Sequence, residues 1–240
     1  MWKKESFEMN KVKDSVMRQI VVDAPLELVW AALTKQEHLN RWYTKNAQID
    51  FRIGGRGYMN HGWGATTEGV FTEIHPMKLF VLQSLDGDFT TITSLDKIEN
   101  GILVTIEYKS SILGEMDLST IENMLFGTGQ FLENLQTVYE TGIDHRANFW
   151  KAWIGITHTT NEFSRGTKVV QVKEGTAAAM AGIISEDIIM EIDGSAIRNH
   201  ESLERAINEL EPESTTTLTI LRNREKLQIS CKVEAYPVTY

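Results

Sequence analysis

Residues 90–110 read TTITSLDKIENGILVTIEYKS. Two runs of alternating apolar and polar residues flank Asn100-Gly101, a strong short-range hairpin signal. With that pair at the tip, Leu95 is expected opposite Ile106 and Lys97 opposite Val104. Tyr108 joins the Val104 and Ile106 face, so one side of the hairpin is largely apolar. Upstream, RGYMNHGWG (56–64), EGVFTEI (68–74) and KLFVLQSL (78–85) read as further strands. Their links are too short for helical crossovers, which predicts an antiparallel meander.

Helices bracket this meander. RQIVVDAP (18–25) reads as a strand that leads into PLELVWAALTKQEHLNRWY (25–43). There Leu26, Val29, Trp30 and Leu33 fall on one helical face, and Leu39, Trp42 and Tyr43 mark a second short helix. Residues 119–141 carry a stripe of Ile121, Met124, Leu125, Leu132, Leu135, Val138 and Tyr139, which predicts a long amphipathic helix closed by Gly142. Gly127 and Gly129 interrupt it, at about 1 kcal/mol each, and mark a break or a close approach.

Past residue 146 the pattern restarts. EGTAAAMAGIISEDIIMEIDG (174–194) holds a short helix of small residues, a Gly182 stop and a buried strand ending at Asp193-Gly194. Leu203, Ala206, Ile207 and Leu210 place an apolar stripe on a later helix. The expected organisation is α+β: an extension (1–17), a first domain (18–146), a linker (147–152), a second domain (153–235) and a tail (236–240).

Composition narrows the function. Net charge is -9. Residues 1–150 hold 14 basic and 20 acidic side chains, and residues 151–240 hold 10 and 13, so neither half is basic. No electrostatic footprint for nucleic acid or anionic lipid follows. Cys231, the single cysteine, reads as a small buried hydrophobe. The run Arg222–Lys226 reads as a solvated hairpin tip. The charged N-terminus has no apolar signal core and no run is long enough to span a membrane, so a cytoplasmic location is the expectation.

The segments APLELVWAALTKQEHLNRWY, IGGRGYMNHGW and EGVFTEIHPMKLFVLQ, with the closing helix, resemble the SRPBCC (START-like) superfamily, in the branch of heat-shock ATPase activator homologues. The resemblance implies a helix-grip fold, a curved antiparallel sheet around a long C-terminal helix, with a cavity for an apolar small molecule or lipid. Carried over by position, Trp42, Tyr58, Trp63, Phe71 and Phe131 would line it. The family's Gly-Trp in the last helix is Gly127-Thr128 here, which either enlarges the cavity or leaves its space to be refilled. Cyclase- or hydrolase-like chemistry would need a placed acid or base. His61, Glu68, Glu73 and His75 lie near one another in the meander, but both histidines read as exposed loop ends and no metal-ligand motif is present.

Residues 152–235 resemble a PDZ domain of the bacterial, circularly permuted kind. Gly175-Thr176-Ala177-Ala178, Ala181-Gly182-Ile183, Asp187-Ile188-Ile189 and Ile192-Asp193-Gly194 follow in family order. The resemblance implies a groove where an extended or C-terminal peptide adds as a strand beside the later helix. Trp153, Ile154, Gly155 and Ile156 would hold its carboxylate in a nest of amides, and Ile154, Ile156, Leu203 and Ile207 would receive its last side chain. The usual glycine before Asp187 is Glu186, a poor residue for positive φ. The reading is a non-enzymatic binding or adaptor protein without cofactor or metal; the alternatives are a chaperone-associated regulator or a cyclase/hydrolase-like enzyme.

Overall fold

The computed structural model describes residues 15–110, 113, 114 and 116–238. In chain order the first domain runs β1 (Ser15–Val22), α1 (Leu26–Thr34), α2 (Gln36–Trp42), β2 (Asn46–Ile49), β3 (Arg56–Gly62), β4 (Ala65–His75), β5 (Leu79–Ser84), β6 (Phe89–Ile98), β7 (Gly101–Ser110) and α3 (Leu118–Thr141). Among the described residues, seven strands form an antiparallel sheet in the order β1-β7-β6-β5-β4-β3-β2. Its concave face closes on α1, α2 and the buried side of α3, with Val29, Leu33, Trp42, Phe71, Val104 and Leu135 in one core.

The hairpin register differs from the sequence reading. Leu95 pairs with Val104 and Lys97 with Ile102. The loop is Glu99-Asn100, and neither residue has positive φ, so the turn is not the primed type that Asn-Gly favours. Gly101 instead opens β7 at φ +131, pressed against β1, where a Cβ would lie 2.5 Å from the Val22 carbonyl oxygen. The shift is two residues, one full strand period, so the predicted apolar face survives.

α3 is continuous through both glycines. Asp117 caps it by accepting from the Thr120 amide at 2.9 Å, and Gly142 ends it at φ +80. Gly127 marks close approach, not a break: Trp150 lies across it, 3.4 Å from where a Cβ would sit. The connector thus lays the Trp150 ring over Gly127. That connector is pinned to the first domain. Arg146, only 5% exposed, donates to the Thr44 and Asn40 carbonyls at 2.7 and 3.0 Å and grips Asp144.

The second domain contains β8 (Ala152–Trp153), β9 (Ile156–Thr160), β10 (Thr167–Val172), α4 (Ala177–Met180), β11 (Ile188–Ile192), β12 (Ser195–Ala196), α5 (His200–Asn208), β13 (Thr215–Arg222), β14 (Glu225–Lys232) and β15 (Glu234–Ala235). The strand order is β14-β13-β11-β10-β9, which leaves β9 at an edge; β8 pairs with β15. Asn223 and Arg224, both at positive φ, turn the β13–β14 hairpin. Arg222 is not merely solvated there: it binds the buried Asp187 through two bonds of 2.7 and 2.6 Å. Cys231 is buried, and burial pushes its thiol pKa up to about 11.

Glu186 does adopt φ +75. A side chain in that region costs on the order of 1 kcal/mol, and the exposed Glu186–Lys168 pair at 3.3 Å returns little. Glu186→Gly should therefore stabilise the protein by about 1 kcal/mol, read as a higher denaturation midpoint. An unchanged or lower midpoint would mean that the turn is not strained.

Candidate functional site

Two cavities share a wall. The inner one, about 380 Å³, lies within the first domain between sheet and helices. Leu33, Trp42, Met59, Phe71, Phe80 and Ile106 give it an apolar lining. The outer one, about 600 Å³, lies between the domains. Tyr43, Thr67 and Met124 line both and form the partition.

The residues expected in one pocket divide between these spaces. Trp42 and Phe71 line the inner cavity, and Trp63 and Phe131 the outer. Tyr58 lines neither. Gly57, Met59 and His61 alternate as buried positions along β3, so Tyr58 occupies the opposite face and Met59 takes the inward place. Trp63 sits in the β3–β4 turn and packs on Trp150 at 4.8 Å and Phe149 at 6.1 Å. The connector thus supplies an aromatic edge to the outer cavity.

His61 is not an exposed loop end. It lies on β3, 6% exposed, with Nε2 2.9 Å from Thr67 Oγ1 and its ring 4.5 Å from Tyr43. Burial lowers its pKa to about 4, against an opposing contact with the Tyr43 backbone. His75 does lie at the exposed end of β4, 2.7 Å from Glu73.

On the far wall of the outer cavity stand Trp153, Ile154, Gly155, Ile156 and Ile207. Leu203, also expected there, is absent from this lining and wholly buried in the second domain's core. The Ile154 carbonyl accepts from Ala178 N–H and the Gly155 carbonyl from Lys173 N–H, each at 2.9 Å. In a trans peptide the N–H points opposite the C=O. The Gly155 and Ile156 amides are therefore directed away from the scaffold. Gly155 holds φ +89, and a Cβ would lie 2.3 Å from the Thr176 Cβ. Glycine is required here by the scaffold behind the loop, a different reason from the approach of an anion in front of it.

β9 runs on from this loop along the sheet edge, facing α5. Its far end is taken. Glu122 of α3 accepts from the Thr160 amide and the Thr159 hydroxyl, both at 2.8 Å, and from the Thr160 hydroxyl. Because alternate amides of a strand point the same way, the Ile156 and His158 amides share the side that Glu122 claims at Thr160. Arg18–Glu201 and Arg205–Glu133 pairs clamp the same junction. Glu122 carries no motif; only the packing of α3 on β9 exposes its role.

Residues 23–140 match the family model described as activator of Hsp90 ATPase homolog 1-like protein. Residues 152–233 match that of the PDZ domain. Similar solved structures include a Nitrosomonas europaea protein, 20% identical with a TM-score of 0.46, the match covering 53% of this chain and 95% of that one. The Aha1 dimer of Colwellia psychrerythraea is 18% identical with a TM-score of 0.48, over 53% and 97%. An AHSA1-like protein of Aeromonas hydrophila is 17% identical with a TM-score of 0.43, over 55% and 96%. No curated protein matches. Among the described residues no helix is long and apolar enough to cross a membrane.

Proposed function

We propose that this chain, an Hsp90-ATPase-activator-like domain joined to a PDZ domain, is an adaptor that captures the C-terminus of a partner protein in the cavity between the two. A binding or adaptor role in general follows from the two domains. The finer reading rests on one observation: the Gly155 and Ile156 amides are turned outward beside a cavity large enough for peptide side chains. Two successive outward amides suit a carboxylate, and Ile154 and Ile207 offer its neighbouring side chain an apolar seat. The opposite wall is Tyr43, Trp63, Phe131 and Trp150, which favours partners with apolar or aromatic residues near the terminus.

Glu122 then sets the depth of the groove. A peptide strand can claim the Ile156 and His158 amides but meets the Glu122 carboxylate at Thr160. Short C-terminal stubs fit; long strands must displace that carboxylate. Glu122→Ala should improve the binding of peptides of about eight residues by about tenfold over wild type, and leave those of about four unchanged. Equal gains at both lengths would refute the depth limit. The adaptor reading itself is tested by displaying free C-termini to the full chain. Enrichment of a short terminal consensus supports it, and selection of internal segments or of no sequence removes it.

The inner cavity suits a small apolar molecule, on the strength of its lining. Tyr43, Thr67 and Met124 stand between that molecule and the peptide, which gives occupancy a short path to peptide affinity. Native mass spectrometry of the purified chain would reveal a copurifying molecule. A pull-down dominated by a chaperone would favour the regulator reading instead.

A further inference from the structure

One wall of the outer cavity carries two imidazoles and a carboxylate. His200 and Glu204 are four residues apart on α5 and share a face. His158 enters from β9, its Nε2 2.8 Å from Glu204 Oε1. The two rings lie 4.4 Å apart and 27° from parallel. One donor atom from each of the three residues lies within 4.8 Å of the others. All three line the cavity.

We infer that His158, His200 and Glu204 form a binding site for a divalent transition-metal cation of the zinc type, with its open coordination positions facing the interdomain cavity. The donor set is the first argument. Two imidazoles and one carboxylate suit zinc-like ions, whereas calcium and magnesium call for an all-oxygen shell. Spacing is the second. Zinc bonds of about 2.0–2.1 Å set tetrahedral donors about 3.3 Å apart, and the three donor atoms here lie within 4.8 Å of one another. A helical pair at i and i+4 completed from a facing element is a recurrent way to build such a site.

Burial is the third argument. His158 and His200 are 2% and 4% exposed. His158 Nε2 lies against Glu204, while its buried Nδ1 has no hydrogen-bond partner among the described residues. A buried polar atom without a partner is costly, and a bound ion is one way to satisfy it.

The test is cobalt(II) titration of the full, tag-free chain, followed by visible absorption, with zinc(II) displacement followed by calorimetry. One equivalent should bind with the absorption of low-coordinate cobalt. His200→Ala and Glu204→Gln should each weaken binding at least tenfold while circular dichroism shows the fold retained. Glu204→Gln keeps the shape and the polarity, so its effect reports coordination. An absence of one-to-one binding, or binding left unaltered by both folded variants, would overturn the assignment; the latter outcome would place the ion on exposed groups such as His75 and Glu73.

Discussion

Arg146→Ala is expected to cost the protein about 3 kcal/mol, the largest loss from any single side chain outside the apolar core. Its guanidinium meets the carbonyls of Asn40 and Thr44, at the C-terminal end of α2, and the Asp144 carboxylate. Helix C-termini leave carbonyls without partners, and a cation there also suits the helix dipole. Asn134 adds to the same knot by donating to the Trp42 carbonyl at 2.8 Å and accepting from the His145 amide at 2.7 Å. Removing the guanidinium strands two carbonyls and releases the connector that carries Phe149 and Trp150. Urea denaturation at neutral pH checks this. Arg146→Lys should recover only part of the loss, because an ammonium cannot reproduce the planar fork. A loss below about 1 kcal/mol for the alanine variant would mean that the connector is held by its aromatic rings instead.

Acid should destabilise the protein through His61. Its folded pKa of about 4 lies below the ordinary 6.5. Between those values the unfolded chain binds a proton that the folded chain refuses, so stability rises with pH across the window. Stability is complete above about pH 6.5, falls as the pH drops towards 4, and loses nothing further to this group below that. The gap corresponds to about 3 kcal/mol. His61→Gln cannot take up the proton and should flatten the dependence by that amount, as read from denaturation midpoints at pH 7 and pH 4.5. Identical pH profiles for the two proteins would show that the imidazole is hydrated when folded.

Much of the fold was legible because its signals are periodic. The stripe on α3, the alternation through β3–β7 and the Gly142 and Gly182 stops are local patterns that tertiary packing reinforced. The hairpin register was misread by one strand period because Gly101 serves contact with Val22 rather than the turn. Tyr58, carried over by position from the resemblance, stands on the other face of β3, as its alternation with Met59 and His61 requires.

The candidate site was legible in one half. The Trp153–Ile156 loop was reached through the resemblance to a PDZ domain. The wall opposite it was not. Trp63, Phe131 and Trp150 come together only because the connector folds back over Gly127. Glu122 reaches Thr160 across 38 residues, and His158 reaches Glu204 across 46. The first pairing depends on how the two domains dock and the second on how α5 packs over β9, and no local periodicity encodes either.

The most direct measurement is calorimetry of one selected peptide in two forms, with a free C-terminal carboxylate and with that terminus amidated. If outward amides at Gly155 and Ile156 receive the carboxylate, amidation should weaken binding at least tenfold, and Gly155→Ala, which forces a clash with Thr176, should weaken the free acid to a similar degree. Equal affinity for acid and amide would show that the loop is not a receptor for chain ends.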